Sequence, residues 1–174
     1  GAGFSDGLKL QKRGKEGEEL LYAPNQQTPF TGSAAWYNDN GTLSKVSQFK
    51  NGKLHGLSTR WHENGQKAEE ENFKEGKLQG VRIGWYDNGS KRVETTYQDG
   101  KQDGVLNAWY NNSLIKEKST YSNGKLVSAF VCKPNGEKCP VTSVKNGNGV
   151  KLWYILGSTQ VIRETYKDGE QVRD

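Results

Sequence analysis

Apolar and polar residues alternate along this chain over short runs that glycine interrupts, and no helical stripe develops. In Val81-Arg82-Ile83-Gly84-Trp85-Tyr86, Val81, Ile83 and Trp85 fall on one side, the period of a half-buried strand. Asp87-Asn88-Gly89 follows, then Lys91-Arg92-Val93-Glu94-Thr95-Thr96-Tyr97, polar on one face with an aromatic at its end. An acidic residue, then Asn, then Gly suits a type I turn closed by a glycine in the left-handed region. Asp39-Asn40-Gly41, Glu63-Asn64-Gly65 and Pro134-Asn135-Gly136 are its counterparts. Asp99-Gly100-Lys101 and its equivalents then turn the chain into the next pair of strands. No stretch carries a capped 3.6-residue period, so no helix is predicted.

The pattern repeats. Gly52, Gly76, Gly100, Gly124, Gly147 and Gly169 are spaced by 24, 24, 24, 23 and 22 residues. Phe49, Phe73, Tyr97, Tyr121 and Tyr166 precede five of them by three residues, and Val144 takes that place in the fifth unit. Gly41, Gly65, Gly89, Ser113, Gly136 and Gly157 form a second series, each preceded by four residues by Tyr37, Trp61, Trp85, Trp109, Cys132 and Trp153. Gly32, Gly56, Gly80, Gly104 and Gly149 open the units, with Ser128 opening the fifth. A fixed period of this size marks a repeat architecture. The predicted fold is all-β: an open, single-layer antiparallel meander of about six β-hairpin repeats. Residues 1–17 read as an N-terminal leader and 18–174 as the array, with units near 32–55, 56–79, 80–103, 104–127, 128–148 and 149–172. Both aromatic series, Tyr37, Trp61, Trp85, Trp109 and Trp153 with Phe49, Phe73, Tyr97, Tyr121 and Tyr166, are expected to form the structural ladder, the tryptophans side by side across the sheet.

Composition sharpens this picture. Hydrophobic residues are 32% of the 174 and mean hydropathy is −0.94, too little for a thick two-layer core. Five Trp, eight Tyr and five Phe are too many for a disordered tail, so the core must be thin and drawn out along the chain. The net charge of +5 suits an anionic partner, and equally suits lysines that keep sheet edges from pairing. No apolar run approaches the roughly 18 residues of a membrane-spanning helix. The chain lacks Met, so Gly1 reads as a cloning remnant, which leaves open a leader ahead of it.

Candidate chemistry is sparse. His55 and His62 belong to no ligand cluster or nucleophilic arrangement, and the glycines open no phosphate-binding helix. No catalytic, metal or cofactor residue is assigned, and no enzyme activity is expected. Arg60, His62, Arg82, Tyr86 and Tyr110 should project away from Trp61, Trp85 and Trp109 as a binding row, since Tyr and Arg are enriched at interface hot spots. Cys132 and Cys139 flank the Pro134-Asn135-Gly136 turn and are a candidate disulfide. A two-residue loop would set them opposite one another; a three-residue loop sets Cys132 against Lys138 instead. A disulfide would favour an exported or periplasm-facing location over the cytoplasm.

Pro29-Phe30-Thr31-Gly32, Trp36-Tyr37-Asn38-Asp39-Asn40-Gly41, Trp85-Tyr86-Asp87-Asn88-Gly89 and Phe73-Lys74-Glu75-Gly76-Lys77-Leu78-Gln79-Gly80 resemble bacterial variant MORN-repeat proteins, which are grouped as YwqK-like antitoxins of toxin–antitoxin systems. The resemblance spans roughly residues 18–174. It implies an elongated, twisted MORN-like sheet with a concave groove, and a scaffold that binds a partner protein on one face, as an antitoxin or immunity protein would. The alternatives are an envelope module on anionic lipid surfaces and a structural spacer. A protein partner and a monomeric chain are expected, and nucleic acid is not.

Overall fold

The computed structural model describes residues 10–139 and 143–172, which form sixteen β-strands and no helix. A small hairpin comes first, β1 (Gln11–Arg13) and β2 (Leu20–Tyr22), and the 17/18 boundary expected between leader and array falls inside it. One 14-stranded sheet follows. The first two units are β3 (Gly32–Tyr37) with β4 (Leu43–Lys50), and β5 (Lys53–Trp61) with β6 (Lys67–Lys74). Next come the short β7 (Lys77–Leu78), β8 (Gly80–Trp85) and β9 (Lys91–Gln98), then β10 (Lys101–Trp109) with β11 (Ile115–Ser122). The last units are β12 (Lys125–Val131) with β13 (Ser143–Lys145), and β14 (Asn148–Tyr154) with β15 (Val161–Lys167) and β16 (Glu170–Val172). Neighbours in the sheet follow chain order, except that β7 and β8 both pair with β6, and every pair is antiparallel, as the repeat predicted.

Two turn types alternate. The tips between units are two-residue turns with both residues at positive φ, 47° and 83° at Asn123-Gly124. This type I′ geometry matches the right-handed twist of the flanking strands. Within the first five units a three-residue loop closes the hairpin, as where Gly65 N–H donates to the His62 carbonyl at 2.9 Å and His62 N–H to the Gln66 carbonyl at 2.8 Å; in the sixth, residues 155–160 connect Tyr154 to Val161. Beside these loops one residue of the return strand, Ser44, Ala68, Arg92 or Lys116, is skipped by the pairing, a bulge repeated in four successive units.

Cross-strand partners share a face. Ala34, Ser47, Ser58, Thr95, Leu106, Ser119, Ala129 and Val144 lie on one row across the sheet and are all buried; this is the inner face. Phe49, Phe73, Tyr97, Tyr121 and Tyr166 form a second inner row, each directly opposite the opening glycine of its unit. Apolar clusters close the two ends of this face, Ala23, Phe30, Ala34 and Phe49 at one end and Leu126, Ala129 and Val144 at the other. The sheet curls inward toward its C-terminal end, where Glu117 of β11 reaches Lys151 of β14 across the two intervening strands.

The expected tryptophan ladder needs correcting. Trp61, Trp85 and Trp109 each follow an inner-face residue and so lie on the outer face, opposite the Phe and Tyr row. A strand separates each from the next, and two strand spacings are about 10 Å, too far for ring contact. Trp61 and Trp85 pair with Lys67 and Lys91, and the Lys91 ammonium stands 5.6 Å over the Trp109 ring. Among the described residues, ring pairs join Phe30 to Phe49 and Trp36 to Phe49. Tyr37, at the start of the series, is exposed. Trp153 turns to the inner side, its ring 4.0 Å from the Lys151 ammonium.

Candidate functional site

The residues expected to form a binding row do share the face opposite Trp61, Trp85 and Trp109, but their polar atoms are already engaged inside the array. His62 Nε2 lies 3.0 Å from the Trp85 carbonyl, Tyr86 donates to the Trp109 carbonyl at 2.8 Å, and Tyr110 donates to the Cys132 carbonyl at 3.0 Å. A carbonyl only accepts, so His62 carries its proton on Nε2. One position in three successive units thus reaches the carbonyl that ends the corresponding strand of the next unit. Tyr110 is only 3% exposed and offers a partner no contact surface. Arg60 and Arg82 both hydrogen-bond Glu69, whose side chain is buried, and Arg82 Nε also lies 3.1 Å from Glu71 Oε1. Removing either arginine would leave buried carboxylate charge under-compensated, so these side chains hold the sheet together.

The loops are joined in the same way. Asn64, Asn88 and Asn112 each accept from the backbone N–H two residues on, and donate from Nδ2 to a loop carbonyl of the next unit. At the tips, Gly76, Gly100 and Gly124 donate to the carbonyls of Leu54, Leu78 and Gln102 in the preceding unit. His55 takes its place in this scheme. Its Nδ1 faces Glu75 N–H at 3.5 Å, where Gln79 and Asp103 accept from Asp99 and Asn123 in the following units.

A buried ion pair lies at the curled end. Lys151 and Glu117 are 2.7 Å apart with both side chains almost fully enclosed, and Ser119 donates to the same carboxylate. Burial, and then the Glu117 and Glu164 carboxylates, raise the Tyr121 hydroxyl above its ordinary range; burial and Glu164 do the same for Tyr166. Burial also pushes Tyr110 up to about 12. Cys132 and Cys139 are buried thiols and form no disulfide with each other. The loop is the three-residue one, so Cys132 pairs with Lys138, and Cys139 Sγ accepts from the Tyr154 hydroxyl at 2.9 Å.

The outer face is different. Leu57, Val81 and Val105 each follow an opening glycine and are 39%, 43% and 53% exposed, far more than a core position allows. They repeat every 24 residues on one side of the sheet, beside the half-buried Trp61, Trp85 and Trp109. Periodicity already singles out these three positions; exposure adds that nothing in the array covers them. Among the described residues no group of acidic, histidine and cysteine side chains is placed to hold a metal ion, and no helix is long and apolar enough to cross a membrane.

Residues 54–75 and 78–99 each match the family model of the MORN repeat variant. Two units of this array are MORN repeats. The matched segments run from the end of one tip to the next; the His62 bond joins the first to the second, and Tyr86 reaches from the second to Trp109 beyond it. MORN repeats are in general scaffolds for binding partners or membranes. No curated protein matches the chain.

Proposed function

We propose that the array is a non-catalytic scaffold that binds a partner protein on its outer face, with Leu57, Val81 and Val105 as the apolar line of contact. The observation carrying this reading is their exposure in register at three successive units. They alternate along the outer row with Asn72 and Thr96, and apolar side chains exposed in this way on one face mark an interaction site. The antitoxin or immunity role implied by the resemblance is one case of the same reading, in which the partner is a toxin. A photo-crosslinking residue at Val81, installed in cells of the native organism, should capture one protein that the same residue at the tip position Lys77 does not. The double variant V81D/V105D should lose that capture while keeping its unfolding midpoint. Equal capture from Val81 and Lys77 would refute the assignment of the face.

A second reading, attachment to an anionic lipid surface, has its own observation. Lys53, Lys77, Lys101 and Lys125 each follow a tip glycine, are exposed, and recur along one long edge of the sheet. Juxtaposed lysines of this kind attract anionic membranes by about 1 kcal/mol each. Co-sedimentation with phosphatidylglycerol vesicles that disappears when these four become Gln would support it, and vesicle binding unchanged by them would remove it.

A further inference from the structure

Among the described residues β12 and β13 pair only at Ala129–Val144, and a cavity of about 230 Å³ opens beside it. Lys118, Lys138 and Lys145 line this cavity with Ser128, Ser143 and Phe130, and no carboxylate among the described residues does. None of the three lysines belongs to an ion pair among the described residues, whereas Lys67, Lys91, Lys125, Lys133 and Lys151 all do. Lys138 rests over the Phe130 ring at 5.7 Å. The cavity is smaller than the roughly 300–1,000 Å³ of pockets for drug-sized ligands, and suits a single anionic group.

Its position gives the partner's chemistry. Ser128 pairs with Thr120, which pairs with Val105, so the cavity lies on the same outer row as the exposed valines. Further along that face Glu70 and Glu94 are neutralised by Lys67 and Lys91. The face therefore runs from apolar and neutral at units two and three to a local charge of +3 at the cavity. A uniformly anionic bilayer would find net positive charge only at the cavity end of this face, because Glu70 and Glu94 cancel Lys67 and Lys91 along the rest. A protein segment with apolar residues and one acidic end complements it throughout.

We propose that Lys118, Lys138 and Lys145 anchor an Asp or Glu carboxylate of an acidic protein segment whose apolar side chains lie along Leu57, Val81 and Val105. The proposal rests on the outer face being the docking surface. The two are separated by measuring fluorescence anisotropy of a labelled peptide alternating Leu and Glu, and of the same peptide with Gln for Glu, against the whole chain. The wild type should bind the Glu peptide, and K118Q/K138Q/K145Q should weaken it about tenfold, the combined effect of three partly exposed ion pairs. The Gln peptide should bind wild type and triple variant alike. The three lysines are exposed, so an unchanged thermal midpoint is expected of the triple variant. Glu and Gln peptides bound equally, with binding lost in V81S/V105S, would overturn the anchor and leave the docking face standing. No binding of either peptide by wild type would sink both. Lysine-dependent binding of phosphatidylglycerol vesicles without peptide binding would overturn the acidic-segment anchor in favour of a lipid headgroup.

Discussion

Truncating Tyr110 should destabilise the array more than truncating Trp109, although the tryptophan is larger and neighbours it in sequence. Tyr110 is 3% exposed and its hydroxyl donates to the carbonyl of Cys132, itself buried. Tyr110→Phe removes only that donor and leaves a buried carbonyl short of a partner, at a cost of about 1–2 kcal/mol. Tyr110→Ala also empties the ring's volume between units four and five, and buried aromatic truncations cost about 3–5 kcal/mol. Trp109 is only part-buried on the outer face, so Trp109→Ala forfeits a fraction of its transfer free energy, about 1–2 kcal/mol. A domain of this kind has roughly 5–15 kcal/mol in total, so the alanine variant at Tyr110 should be visibly marginal. Urea unfolding followed by tryptophan fluorescence and circular dichroism measures all three. A midpoint for W109A at or below that of Y110A would show that the outer tryptophans, and not the inner staples, are the spine.

Ser113 holds φ at 66° in a loop position where other units have glycine. Ser113→Gly should relieve this strain and raise stability by about 1 kcal/mol; a lowered thermal midpoint would refute that account. Lys151→Met should cost about 3–5 kcal/mol by stranding the buried Glu117 carboxylate, whereas E117Q/K151M should recover much of it; a double variant no better than the single would mean that the pair is not the source. Tyr110 is held up to about 12 by burial, and Tyr154 up to about 12 by its bond to the Cys139 sulfur. These folded-state values lie above the ordinary tyrosine value of about 10, so their contribution is complete below pH 10 and is lost as pH rises from about 10 toward 12. Urea midpoints from pH 8 to 12 should fall over that window, and less steeply in Tyr110→Phe; parallel curves would reject the linkage.

Turns, strand count and order were legible because turn chemistry is local: Asn-Gly and Asp-Gly pairs state their φ requirement in two letters. Parity was legible too, since Arg60, His62, Arg82, Tyr86 and Tyr110 do share a face. What alternation does not reveal is which parity turns inward. Trp61, Trp85 and Trp109 are the larger side chains, and size argued for putting them inside. The sheet instead turns Ser47, Ser58, Thr95 and Ser119 inward, small residues that let neighbouring strands curl tightly, with Ser47 and Ser58 hydrogen-bonded at 2.7 Å. The bonds of His62, Tyr86 and Tyr110 depend on an offset of one unit between strands, which no single hairpin specifies. For the cysteines the decision lay in one residue of loop length. The three-residue loop sets Cys132 against Lys138, and the bond does not form.

The distribution of polar bonds argues for where recognition belongs. Inner-face side chains, loop asparagines and tip glycines each reach the adjacent unit, so stability is a sum of neighbour terms, as in other repeat arrays. A partner that used His62, Tyr86 or Tyr110 would have to break one of those terms, competing with folding at every contact. The side chains of Leu57, Val81 and Val105 carry no such bond, so substitution there changes surface chemistry with little cost to the array. The same reasoning distinguishes one end of the outer face from the other. Repeats in perfect register make an even surface, and a distinct site needs a place where register fails. That place is the junction of β12 and β13, where, among the described residues, one ladder pair remains and three lysines without carboxylate partners gather. Restoring the repeat there, with a full ladder between β12 and β13 inside unit five, would close the cavity, and selectivity for an acidic end should disappear with it.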